Sequence, residues 1–124
     1  MEPNLNLICG IDHVQVAAPP GCEQEARRFY GGVVGLREIP KPEALQARGG
    51  CWFQCGTQQL HIGVAQDFKP SRKAHPAFQT PDLAALERVL ASQGIGYERD
   101  GSIPGTRRIY AHDPWGNRLE FVQI

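Results

Sequence analysis

The sequence has no excess of charge of either sign: thirteen Lys and Arg balance thirteen Asp and Glu, for a formal net charge of zero with histidine neutral. Phosphate contacts dominate affinity for nucleic acid, and a binder of that kind usually carries a basic surplus, so nucleic acid is not the expected partner. No run of about 18 apolar residues occurs, which excludes a membrane-spanning helix and any membrane partner read from one. The first four residues, Met1-Glu2-Pro3-Asn4, lack the basic and apolar regions of a signal peptide, and a cytoplasmic location is the expectation. Cysteine is sparse and badly spaced for a staple. Cys51 and Cys55 lie in a strand-like segment, where their Cα atoms would stand roughly 13 Å apart, too far for a disulfide or a shared zinc ion. Cys9 and Cys22 have no partner at zinc-site spacing. All four are expected to be reduced packing residues. What is left is ordinary: 124 residues, 41% hydrophobic and 21% charged, room for a single domain.

Periodicity and turn signals predict a strand, a helix and three strands, and then the same order again. Residues 11–17 alternate as a strand and end at Pro19-Pro20-Gly21. A helix is predicted over 22–34 from the spacing of Ala26, Phe29, Tyr30 and Val33, with Gly35 suited to a left-handed cap. A short strand over 37–40 enters a loop rich in Lys, Pro and Gly, and 51–55 and 59–64 form a hairpin across Gly56-Thr57. Residues 65–74 read as a connector. The second pass opens at His75, continues through a helix over 82–92 capped by Asp82 and closed by Gly94, and ends in strands over 95–99, 107–112 and 118–124. The fold class is therefore α+β, a single domain over 1–124 made of modules 1–66 and 74–124 joined by connector 67–73.

The repeat brings particular residues into correspondence. His13 and His75 fall on the two first strands, and His61 and Glu120 on the two last strands. His61 lies between Leu60 and Ile62, and Glu120 between Leu119 and Phe121. Neighbours on a strand point to opposite faces, so both polar groups look away from the apolar layer. If that second face lines a cavity, three imidazoles and a carboxylate converge into a site suited to one divalent ion, with Zn, Ni, Co, Fe and Mn all compatible.

Three segments carry a resemblance: Gly10-Ile11-Asp12-His13-Val14, Phe29-Tyr30-Gly31-Gly32-Val33-Val34-Gly35-Leu36, and Asp113-Pro114-Trp115-Gly116-Asn117-Arg118-Leu119-Glu120. With them the chain resembles the vicinal oxygen chelate superfamily of glyoxalases, extradiol dioxygenases, and fosfomycin- and bleomycin-resistance proteins. The resemblance implies paired βαβββ modules forming a cupped, partly open barrel around a divalent metal. It implies His13, His75 and Glu120 as ligands, and places His61 where glyoxalase I-like members supply a fourth ligand, often a glutamate. Four protein ligands on a six-coordinate ion leave two positions, enough for a substrate with vicinal oxygens but not for dioxygen as well. The expected activity is thus a metal-dependent, glyoxalase-like isomerase or lyase working by Lewis-acid catalysis, with Glu120 and metal-bound water handling protons.

Tyr110 pulls toward the alternative of an extradiol-type dioxygenase, in which an active-site tyrosine occupies that position and donates to a developing oxyanion. A small-molecule binding protein of the bleomycin-resistance type is a third reading. Trp52 and Gln54 share a strand face that would line the cavity or back it. His112 reads as a surface residue, and Lys69, Arg72, Lys73, Arg107 and Arg108 as solvated charge able to draw in an anionic substrate. Two small modules bury limited surface, and relatives of this size commonly form homodimers, so a homodimer is expected. Its metal sites then lie within one chain, or join His13 and His61 of one chain to His75 and Glu120 of the other.

Overall fold

The computed structural model describes residues 6–124; the signal-peptide reading of residues 1–4 lies outside them. Strand β1 (His13–Ala18) leads into helix α1, which is α-helical over Glu23–Ala26 and π-wound over Arg27–Val33. Strand β2 (Arg37–Ile39), a 3-10 turn (Glu43–Arg48), β3 (Cys51–Cys55) and β4 (Gln58–Val64) complete the first module. The second runs β5 (Ala77–Thr80), α2 (Leu83–Ser92), β6 (Tyr97–Asp100), β7 (Arg108–His112) and β8 (Arg118–Gln123). Each module is a four-stranded sheet with the same order, β1-β4-β3-β2 and β5-β8-β7-β6, its first strand parallel to its last and the remaining pairs antiparallel.

Local chemistry explains most boundaries. Asp82 Oδ1 accepts from the Ala85 amide at 3.0 Å and caps α2, whose Leu83 and Leu90 are buried. Helix α1 departs from the expected regular helix: Val34 N donates to Phe29 O and Leu36 N to Tyr30 O, wider turns than α geometry, in a stretch containing the poor helix formers Gly31 and Gly32. Gly35 then takes φ +88° and ends it, as its sequence position predicts. The segment read as a Lys/Pro/Gly loop holds the 3-10 turn. His75, expected on a strand, precedes β5 by two residues, because Pro76 has no N–H for the ladder. The Pro76 carbonyl still accepts from Glu120 N, so His75 stays beside β8.

Alternation gives each sheet one apolar face, and the residues on it form a single core that includes Val16, Leu60, Ile62 and Phe53 from the first module and Ile109, Leu119 and Phe121 from the second. All four cysteines are free thiols; burial, first, raises that of Cys51 to about 11. Among the described residues no strand of one sheet pairs with a strand of the other, so the cupped barrel is not closed within this chain. Nor is any helix among them long and apolar enough to cross a membrane.

The modules are held together by a buried polar staple. Tyr30 of α1 donates its hydroxyl to Asp113 Oδ2 at 2.7 Å, and Asn117 Nδ2 donates both to Asp113 Oδ2 and to the Ala17 carbonyl at the end of β1. Asp113 Oδ1 also accepts the amides of Trp115 and Asn117. This residue, legible in sequence only as part of a turn, is the hub that orients one module against the other.

Candidate metal centre

On both inner strands three consecutive residues are buried, Leu60-His61-Ile62 and Leu119-Glu120-Phe121. A strand covered on one side only would expose the middle residue, so the faces carrying His61 and Glu120 are covered too. The ladders set what stands beside them. Across the first sheet His61 lies between Gln15 and Trp52, and across the second Glu120 lies between Ala77 and Tyr110.

His75 and Glu120 meet directly. The Nδ1 of His75 donates to the Lys73 carbonyl at 2.7 Å, which fixes the ring and aims Nε2 at Glu120 Oε1, 2.8 Å away. The other carboxylate oxygen is held by Arg108 Nη1 at 3.2 Å. Burial alone would push the Glu120 carboxyl up; the hydrogen bonds from His75 and Arg108 outweigh it and hold it below the usual carboxylate range. A carboxylate kept ionised, with both oxygens accepting hydrogen bonds, is a good cation ligand once one donor gives way and a poor base near neutral pH. That bears on the expectation that Glu120 handles protons.

Arg108, read from the sequence together with Arg107 as solvated charge, is instead held against the Glu120 carboxylate. Arg107 is exposed, as a solvated charge should be, but Arg108 lies on the inner face, where Nη2 also reaches Asp100 Oδ2 and Ser102 Oγ, both at 3.1 Å. Among the described residues its buried Nε has no hydrogen-bond partner. Only strand register separates these adjacent arginines. Tyr110 stands edge-on to His75, ring centroids 5.4 Å apart, with the Arg118 guanidinium 4.2 Å over its own ring. His112 is exposed, as expected.

The first module is built differently. His13 Nδ1 is held by Asp12 Oδ2 at 3.0 Å, as His75 Nδ1 is held by a carbonyl, but its Nε2 has no hydrogen-bond partner among the described residues. His61 is reversed: its Nε2 is the nitrogen engaged, by Gln59 Oε1 at 2.9 Å. Its ring is sandwiched between Trp52 (centroids 3.7 Å, interplanar angle 3°) and His13 (4.1 Å, 20°). Lone pairs of imidazole nitrogens lie in the ring plane, so two stacked rings cannot both address one ion. Trp52 thus backs His61, while Gln54 turns to the Gly56 and Gln58 carbonyls. Burial and then the neighbouring His13 push the His61 imidazole below its ordinary pKa.

The four candidates therefore come together as two pairs, His13 with His61 and His75 with Glu120. Among the described residues no three His, Cys, Asp or Glu side chains are grouped to hold one ion. The donor chemistry suits a divalent metal, and each sheet of the chain brings two of the four candidates together.

The glyoxalase/bleomycin resistance protein/dioxygenase superfamily model matches residues 10–121, and the chain belongs to that family. A glyoxalase family protein from Bacillus anthracis is 55% identical, with a TM-score of 0.93 over 95% of this chain and 97% of that one. The curated Glyoxylase I 4 of Arabidopsis thaliana is 28% identical over 91% of this chain and 70% of its own length. The fold is also that of the fosfomycin resistance protein FosX from Listeria monocytogenes, solved with Mn(II) and 1S,2S-dihydroxypropylphosphonic acid. There the identity is 17% and the TM-score 0.78, over 94% and 93% of the two chains.

Proposed function

We propose that this protein is a divalent-metal-dependent, glyoxalase-like enzyme acting on a small substrate with vicinal oxygens, as an isomerase or lyase. Its metal site is shared between two chains of a homodimer. His75 Nε2 and Glu120 Oε1 of one chain would hold the ion together with His13 Nε2 of the other. The observation that carries this reading is the bond that ties Nδ1 on both His13 and His75, leaving Nε2 of His13 open and aiming Nε2 of His75 at the Glu120 carboxylate, where an ion would replace the proton shared between them. His61, with Nε2 engaged and its ring stacked, positions His13 instead of completing a four-donor set.

When bound, the ion supplies Lewis-acid polarisation of two neighbouring substrate oxygens. The chain supplies the rest. Arg108 holds Glu120 Oε2 and leaves Oε1 toward His75, Tyr110 stands beside His75, and Trp52 with His61 backs the His13 ring. A three-donor set also leaves room for dioxygen, and Tyr110 beside His75 favours extradiol-type ring cleavage as the second reading.

Elemental analysis of protein purified without chelator or affinity tag tests both. About one ion of Ni, Co, Zn or Mn per chain, with no oxygen uptake on catechols, supports the isomerase or lyase reading. Iron with catechol-dependent oxygen uptake selects the dioxygenase. Failure to take up any ion on titration overturns both and leaves a binding protein.

A further inference from the structure

A cavity of about 950 Å³ separates the two modules along β1 and β5, and its lining departs from the charge balance of the chain. Although thirteen acids match thirteen bases overall, no Asp or Glu lines it, whereas Lys69, Arg118 and His75 do. Amides from Gln15 and Asn117 add neutral polar groups, and Val14, Val16, Leu60 and Phe78 supply apolar wall. Val14 is 39% exposed, an apolar side chain left facing this space. Among the described residues neither Lys69 nor Arg118 makes an ion pair. Arg118 is held in place by the face of Tyr110, so its fork is preorganised yet electrically uncompensated.

We infer that this cavity binds a small organic oxyanion, a carboxylate or a phosphoryl group on an apolar body, with Arg118 as the principal anchor and Lys69 as the second cation. A volume of this size suits a ligand of a few rings or fewer. A guanidinium with free donors pairs carboxylate or phosphate oxygens in bidentate fashion. Because His75 belongs both to this lining and to the proposed metal centre, the anion would lie next to that centre. As a statement about substrate class the inference rests on the proposed function; as a binding site it stands without it.

The test is calorimetric titration of metal-free protein with phenylacetate, phenyl phosphate and, as a neutral match, phenylacetamide. Saturable binding of an anion at least about tenfold tighter than the amide is expected, and Arg118→Gln should lower anion affinity at least about tenfold. Lys69→Gln should lower it by a smaller factor while leaving Mn(II) uptake unchanged. Binding of one anion and not the other supports the site and identifies its head group. Equal binding of anion and amide, unchanged affinity in Arg118→Gln with native circular dichroism, or no saturable binding of either anion at millimolar concentration each overturn the inference. Wild-type protein that binds anion but takes up no metal sinks the enzyme reading alone.

Discussion

On the inner strand of the first sheet His61 stands between Gln15 and Trp52; at the equivalent place in the second, Glu120 stands between Ala77 and Tyr110. Two residues before Trp52 and before Tyr110 the contrast sharpens. Just before β3 stands Gly50, at φ +83°, where an added Cβ would collide with the Ile62 carbonyl oxygen. The second sheet has Arg108 on the Glu120 carboxylate. Module one therefore presents stacked rings, and module two a carboxylate held by a guanidinium and an imidazole. The two sheets share a topology and the position of the buried polar group, while the chemistry around that group differs. Neither half has three donors. The Tyr30–Asp113–Asn117 staple fixes how the modules of one chain meet, through α1, the end of β1 and the turn before β8.

The largest effect should come from breaking that staple. Asp113→Ala strips the acceptor from four buried or half-buried donors and should cost about 3 kcal/mol or more in denaturant unfolding. Tyr30→Phe, which removes one hydroxyl bond, should cost about 1 kcal/mol. A loss under that smaller figure for Asp113→Ala would show that the modules are oriented by something else.

Next, the halves should differ in what they lose as ligands. Glu120→Ala should lower metal affinity by about tenfold or more, since it removes the only anionic donor, with the fold kept because Arg108 retains Asp100. His61→Ala should change it by less than about threefold if the ring only backs His13. Equal losses measured by metal titration would restore the four-donor expectation.

A smaller effect concerns pH. The His61 imidazole is depressed below its ordinary value of 6.5, so the unfolded chain binds its proton more readily than the folded one. Its contribution is complete above that value and is lost as pH falls through the window below it. The melting temperature should fall between about pH 7.5 and pH 5, and His61→Phe should flatten that slope. Smallest of all, Arg27→Ala removes an ion pair with Glu38 whose partners are 54% and 39% exposed, and should shift stability by no more than about 0.5 kcal/mol.

The fold was largely legible because its signals are local. Asp82 as a cap, Gly35 and Gly94 at helix ends, the Gly56-Thr57 hairpin and the alternation around His61 and Glu120 each act over a few residues. Contacts across the chain were not. Tyr30 and Asp113 lie 83 residues apart, and nothing near either names the other. Arg107 and Arg108 are indistinguishable until register places one in solvent and one on Glu120. The π-wound turn and the 3-10 turn have no strong sequence signature, and Pro76 displaced His75 from the strand it was assigned to. The pairing of His13 with His61 and of His75 with Glu120 follows from strand neighbours; the stacking of His61 under Trp52 depends on ring orientation, which spacing does not carry.

The claim that the two halves belong to different chains of one site is tested most directly by mixing variants. His13→Ala and His75→Ala proteins, each impaired in metal binding, are combined, unfolded together and refolded so that chains exchange. In a mixed dimer with shared sites, one site lacks both histidines and the other regains both. The account predicts that metal uptake returns to about half the wild-type stoichiometry in the isolated mixed dimer. No recovery there, with wild-type dimer carried through the same treatment binding fully, would contradict it and place any metal site within a single chain.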